Sequence, residues 1–370
     1  NNNNNNNSSA DGGDASTTLP WYDYQRGQEK VPDDVTHLRI GVQEALAAAA
    51  ENGSAPEIID LPEALCWRHP NLQQVQIHVL SVKCIPPSTF YGSHLEKVEF
   101  VAGQSSAVAT TTVNPSVKSR LEVIDIEAFR HCLKLHSVIG LEHVSCSLKR
   151  IEDWVFCDCI KLTTLDLSCL TGLQYLGEYA LEGCTSLTVA DLSNSALVET
   201  IQDETFWNCT ALKIVRLPPR LKQIQERAFY SRDQPTALVS IVIPSSVEFM
   251  GRSAFFRRSS LTRVTFQSTQ HLRTLMNGGQ FECCTSLHTL ELQGPTIPRK
   301  LWPLLLEQFL QENNGILARA LIPNITDDDD AYDAKPKNQW VTIAFNFVRA
   351  NIANFYVDEK KPKIGQGQNS

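Results

Sequence analysis

Ile151-Glu-Asp-Trp-Val-Phe156-Cys-Asp-Cys159-Ile-Lys-Leu162-Thr-Thr-Leu165-Asp-Leu167 sets the architecture, because its apolar positions return at a fixed interval. Leu176, Leu181, Cys184, Leu187, Ala190 and Leu192 repeat the spacing, and so do Ile201, Phe206, Cys209, Leu212, Val215 and Leu217. The shared template is I-x4-F-x2-C-x2-L-x2-L-x-L. Cys159, Cys184 and Cys209 stand 25 residues apart, and Cys284 follows 75 residues beyond Cys209. Upstream the template gives Ile124, Phe129, Cys132, Leu135 and Val138, and before that the looser Ile85, Phe90, Leu95, Val98 and Phe100. Downstream come Ile224 and Phe229, then Met250 and Phe255, then Leu275, Phe281 and Cys284.

The spacing dictates the physics. In L-x-L two apolar side chains lie two residues apart, so both point to one face of a short strand and the residue between them points away. One such strand cannot bury its face alone. Stacked copies make a parallel sheet with strands about 4.8 Å apart over a continuous core. The Phe and Cys then fill the other side of each coil. The predicted fold is an α/β repeat: a solenoid of stacked short parallel strands with a helical C-terminal cap.

The element A-F-x-x-C-x-x-L followed by L-x-L or I-x-I-P resembles the BspA (bacterial surface protein A) type of leucine-rich repeat. Ile126-Glu-Ala-Phe129 with Cys132, Arg227-Ala-Phe229, Ser253-Ala-Phe255 and Val239-Ser-Ile-Val-Ile-Pro244 carry the resemblance, which spans roughly residues 35 to 295 by repeats. It implies a leucine-rich-repeat fold. For function it implies little, since the family runs from bacterial surface adhesins to uncharacterised proteins of single-celled eukaryotes. Two copies depart from the pattern. The Phe229 copy lacks the Cys and has a longer gap before Leu238, and the Phe255 copy carries Arg258 in the Cys slot.

Four segments follow. Residues 1–30 read as a low-complexity, disordered N-terminus rich in Asn, Ser, Gly and Asp. Residues 31–297 read as the solenoid, interrupted at Gly41–Gly53 by an alanine-rich helix candidate. Residues 298–357 read as a cap. Trp302, Leu305, Leu306, Phe309 and Leu310 form one helical stripe, and Val341, Phe345, Val348, Ile352 and Phe355 form another, with acidic Asp327–Asp330 between them. Residues 358–370 read as a flexible tail.

Composition narrows the function classes. The formal net charge of −8 argues against a dedicated nucleic-acid binder, and no stretch is apolar enough to span a membrane. Cys157-Asp-Cys159 and Cys283-Cys284 lack the C-x2-C zinc spacing, and Cys159 and Cys284 are template residues. His131, Cys132, His136, His143 and Cys146 make only a loose cluster, and Asp327–Asp330 lacks a calcium loop's alternation. No P-loop, G-x-S-x-G, H-E-x-x-H or dinucleotide-binding glycine pattern occurs. Neither catalytic chemistry, a metal nor a cofactor is therefore expected. Eleven cysteines, several of them in one buried slot, suggest a reducing compartment and an intracellular protein, with the cell surface as the alternative.

Charge supplies the binding hypothesis. Residues 140–210 carry eleven acidic against three basic side chains, and residues 211–280 carry the reverse. Sequence order is spatial order in a solenoid, so an acidic section should precede a basic one and steer charged partners. The expected surface comprises Glu99, Asp166, Asp191, Arg216, Arg252, Arg257, Arg258, Arg263 and Glu291. Mid-strand positions should align from coil to coil, setting Asp166 beside Asp191 and Asp191 beside Arg216. The functional reading is a non-enzymatic protein-interaction scaffold with a protein partner. The alternatives are a cell-surface or secreted adhesion protein and a substrate adaptor of a larger complex. Oppositely charged sections also allow head-to-tail self-association.

Overall fold

A computed structural model describes residues 21–41, 56–102, 119–233, 235–268, 274–275, 280–287 and 289–292. The L-x-L segments form strands, and every pairing between them is parallel. Tyr22–Asp23, His37–Ile40, Gln74–His78, Lys97–Val101, Ser137–Ile139 and Thr164–Leu165 make one six-stranded sheet. The same side of the coil continues as Val189–Asp191 with Ile214–Arg216, then Ser240–Ile243, Arg263–Phe266 and Thr289–Leu292. This long ladder has the expected register: Gln76 opposes Glu99, Glu99 opposes Ile139, and Asp191 opposes Arg216. Further along, Val242 opposes Thr265 and Thr265 opposes Glu291.

A second ladder runs along another side of the coil. It consists of two-residue strands ending on the first template position: Cys84–Ile85, Val123–Ile124, Arg150–Ile151, Tyr175–Leu176, Thr200–Ile201, Gln223–Ile224, Phe249–Met250 and Thr274–Leu275. Two residues are too few to show a period of two, so alternation in the sequence gives no sign of it.

Between the short ladder and the template Phe the chain turns through alternating right- and left-handed backbone. Glu127, Trp154, Tyr179, Glu204, Arg227 and Ser253 all have φ between 52° and 58°. His131, Asp158, Asn208 and Arg257, four residues further on in their coils, share this conformation. Such a φ costs a non-glycine residue roughly 1–2 kcal/mol. It persists because it aims three alternate N–H groups at the next coil. Trp154 N donates to Glu178 O at 3.0 Å, Phe156 N to Ala180 O at 2.8 Å, and Asp158 N to Glu182 O at 2.7 Å. The same triplet recurs from Tyr179, Leu181 and Gly183 to Asp203, Thr205 and Trp207. The return leg of these coils is thus a hydrogen-bonded turn. Among the described residues there is no α-helix, only 3-10 turns at Leu141–Val144 and Leu167–Cys169, so the α/β expectation is corrected for this region.

The core is a column. Phe90, Phe129 and Phe156 stack in parallel at 5.1 and 5.4 Å. After Leu181, which takes the Phe position, Phe206, Phe229, Phe255 and Phe281 stack at 5.1, 5.0 and 5.3 Å. The sheet begins at Tyr22–Asp23, inside the stretch read as disordered, and the Asp23 carboxylate accepts from Arg39 Nε at 2.7 Å. The C-terminal helical cap, the tail from residue 358 and most of the alanine-rich helix candidate lie outside the described residues.

Candidate functional site

The template Cys has a specific duty. The turn's N–H groups are spent on the next coil, and the carbonyl of the template Phe points into the core. The thiol one coil further along donates to it: Cys132 Sγ to Phe90 O at 3.1 Å, Cys159 to Phe129 O at 3.2 Å, Cys184 to Phe156 O at 3.2 Å. Cys209 serves Leu181 O at 3.1 Å, and Cys284 serves Phe255 O at 3.1 Å. Each of these carbonyls also accepts from the N–H three residues on, and the thiol serves its second lone pair, so a small apolar side chain with one weak donor suits the slot. Burial pushes these thiols up, Cys132 and Cys209 to about 12. Cys159 and Cys184 are likewise raised well above the ordinary thiol value by burial. Held protonated, they are neither nucleophiles nor metal ligands.

One predicted binding residue is misplaced by the sequence reading. Arg258 is fully buried, so it does not belong to any surface. The Phe229 copy has no template Cys, which would leave the Phe206 carbonyl with only the Cys209 N–H, at 3.4 Å, as donor. Arg258 reaches back across the gap. Its Nη2 donates to Phe206 O at 3.1 Å, its Nη1 to Cys209 O at 2.8 Å, and its Nε to Phe229 O. Burial pulls its pKa down to about 10, although the nearby Cys209 and Cys284 oppose the shift. The two departures from the template are therefore one compensated change: a thiol lost in one coil and a guanidinium gained in the next.

The remaining surface candidates occupy different sides of the rod. Glu99 is half-buried on the long ladder and accepts from Gln76 at 3.3 Å and Lys97 at 3.2 Å. Arg216 donates to Asp191 at 2.6 Å, as the register requires. Burial raises the Asp191 carboxyl, but Ser193 and Arg216 outweigh it and hold the group below the usual carboxylate range. Arg263 begins its strand, and Glu291 lies in register with Thr265. Arg252 and Arg257 lie on the turn instead, with the Arg257 guanidinium 5.4 Å from the Phe256 ring centre. The basic block thus wraps around the coil and forms no single face.

Asp166 and Asp191 are not strand partners. Pairing stops at Leu165, and Asp166 caps the 3-10 turn through Ser168 N at 2.9 Å, while Asp191 accepts from Ser193 N at 3.0 Å. The seam between the charge blocks is bridged on several sides. Asp191 pairs with Arg216 at 2.6 Å, Glu199 with Lys222 at 2.8 Å, and Glu204 with Arg227 at 3.0 Å. Exposed pairs contribute about 0–1 kcal/mol each, so they locate the seam more than they stabilise it.

A feature that the charge count missed is apolar. Val189, Ile214, Val239 and Val242 are 38%, 42%, 52% and 46% exposed on or beside three successive strands of the long ladder. Val189 and Ile214 are strand partners two residues ahead of the Asp191–Arg216 pair, and Val239 and Val242 lie on or beside the strand that follows. Their β-branched shape suits the strand, but their outward position does not serve the core.

The BspA type Leucine rich repeat region family matches residues 104–236 and 233–298 in six copies, just over half of the chain. Similar solved structures include a leucine-rich repeat protein from Bacteroides ovatus ATCC 8483, at 24% identity, 70% of this chain, 77% of that one and a TM-score of 0.30. A leucine rich cell surface protein from Faecalibacterium prausnitzii A2-165 shares 16% identity over 76% of this chain and 91% of its own, with a TM-score of 0.25. The pneumococcal vaccine antigen PcpA shares 16% over 60% and 66%, with a TM-score of 0.24. No curated protein matches the sequence.

The family match overturns the expectation of an intracellular protein, since this repeat type is that of a bacterial surface protein. The cysteine reading failed for a physical reason: thiols sealed in a core and hydrogen-bonded to carbonyls survive in either redox compartment. By its repeat template and by the family match over just over half of its length, the chain belongs to the BspA-type leucine-rich repeat family.

Proposed function

We propose that the protein is a non-enzymatic adhesion module of the cell surface or the secreted space, holding a macromolecular partner on the long-ladder face of its solenoid. The observation that carries this is the exposed apolar strip of Val189, Ile214, Val239 and Val242 beside the Asp191–Arg216 pair. Contiguous exposed apolar surface rimmed by charge marks interaction sites, with charge setting encounter and apolar burial setting residence. Family membership supports the location at the surface. Glu99, Arg263 and Glu291 share this ladder and extend the proposed surface, whereas Arg252 and Arg257 lie off it.

Cells displaying the protein and adhering to their natural substratum test the reading. Ile214→Lys and Val242→Lys should each weaken adhesion about tenfold, because each removes one to two kcal/mol of apolar contact and adds a charge that must be desolvated. Leu197→Lys, at a side chain 48% exposed outside the strands, should leave adhesion unchanged. Equal adhesion of all three variants and the parent would contradict the proposal.

A further inference from the structure

A concave feature lies on the turn side of the coils that carry Cys66, Phe90 and Phe129. It is an open cavity of about 410 Å3 lined by Arg68, Pro70, Tyr91, His94, His131 and Leu133. That volume falls in the roughly 300–1,000 Å3 range of small-ligand sites. No carboxylate lines it.

The cavity is organised by its neighbours. Arg68 has φ 51°, and its guanidinium lies 4.8 Å from the Trp67 ring centre. Gly92 makes room for this, since a Cβ there would come within 3.2 Å of Arg68 Cγ. Trp67 stacks on Tyr91 at 6.3 Å, and Tyr91 meets the His131 ring edge-on at 5.3 Å. Asp158 Oδ2 is 3.2 Å from His131 Nδ1 and so orients that ring, leaving Nε2 as its other polar atom. Among the described residues, Arg68 and His94 have no acidic partner. One permanent cation and two imidazoles therefore converge beside aromatic and aliphatic surface.

The backbone here is already spent. Arg68 N donates to Tyr91 O at 2.6 Å, Gly92 N to Arg130 O at 2.7 Å, and His131 N to Cys157 O at 2.8 Å. A peptide strand finds no free N–H to pair with, so recognition must come from side chains. A compact ligand with one carboxylate, several hydroxyls and an apolar ring face meets those terms. We propose that this cavity binds a carboxylate-bearing sugar, with Arg68 on the carboxylate, His94 and His131 on hydroxyls, and Tyr91 with Leu133 against the ring. The site is separate from the long-ladder strip and stands or falls independently of it.

Calorimetric titration of the full chain tests this with sialyllactose, a glucuronic-acid-terminated disaccharide, lactose and tetraglutamate as probes. At least one acidic sugar should bind with millimolar affinity, and lactose and tetraglutamate should bind at least about tenfold more weakly. Arg68→Gln should weaken the acidic sugar about tenfold or more, because a charge-assisted pair is lost. The side chain is exposed, so the variant should unfold at the parent's temperature, and that control separates lost binding from lost fold. Equal binding of lactose would show that the carboxylate is irrelevant, and equal binding of tetraglutamate would reduce the site to an unspecific cation patch. Either result overturns the proposal, as does an unchanged Arg68→Gln or the absence of binding to both acidic sugars.

Discussion

Arg258→Met should lower the urea stability of the array by about 4 kcal/mol, while Arg252→Met should change it by less than about 0.5 kcal/mol. The buried side chain serves three backbone carbonyls, those of Phe229, Cys209 and Phe206. An apolar replacement leaves the Phe229 carbonyl without a donor, at about 1–3 kcal/mol, and takes a charged second donor from the Phe206 and Cys209 carbonyls, which keep only the N–H groups of Cys209 and Leu212 at 3.4 Å. Part of this is returned, because a desolvated cation no longer has to be buried. Met matches the length and part of the volume, which limits the cavity. Arg258→Lys should recover little, since one ammonium on a flexible stem cannot span three acceptors held by the planar fork. Hydrogen exchange at the Phe229 and Phe255 amides locates the effect, because both donate to the next coil, to Ala254 O at 2.7 Å and Gln280 O at 2.7 Å. A loss below about 1 kcal/mol would mean that water or relaxation satisfies the carbonyls, and the compensation between the two coils would be refuted.

Phe229→Ala should cost about 4–5 kcal/mol in the same assay. The ring is fully buried and stacked on both sides, at 5.1 Å from Phe206 and 5.0 Å from Phe255. Its removal deletes the burial of the ring, opens a cavity in a column that cannot collapse sideways, and breaks two aromatic contacts of about 0.5–1.5 kcal/mol each. Phe229→Leu should be far milder, because Leu181 already occupies the same slot in another coil and is fully buried there. In a repeat array the loss should spread to adjacent coils before distant ones, since each coil contacts mainly its neighbours. Uniform loss along the whole described array would contradict that picture.

What could be read from the sequence was whatever repeats. The 25-residue interval among Cys159, Cys184 and Cys209 gave the solenoid, and L-x-L gave the long ladder and its register down to Asp191 opposite Arg216. Single departures were harder. Arg258 was read as surface because arginine is seldom buried, although its place in the Cys slot and the missing Cys one coil earlier were both visible. Taken together, those two facts would have assigned it to the core. The short ladder gave no signal because its strands are two residues long. The left-handed turn positions gave none either: Glu127, Trp154, Tyr179 and Arg227 share a φ near 55° but no chemistry, because the φ is imposed by coil-to-coil hydrogen bonds. The apolar strip escaped a reading guided by charge, since Val and Ile are ordinary strand residues until their exposure is known.

The claim that the long-ladder face holds a partner is tested most directly by site-specific photo-crosslinking in the organism that makes the protein. A photoreactive residue at Val242, 46% exposed on that face, is compared with one at Ile160, 39% exposed on the turn after Cys159. The two sites are comparably accessible, so random collisions label both alike. The account predicts a discrete adduct of defined mass at position 242, accessible to protease on intact cells, and none at position 160. Equal labelling at both sites, or an adduct at position 160 alone, would contradict it.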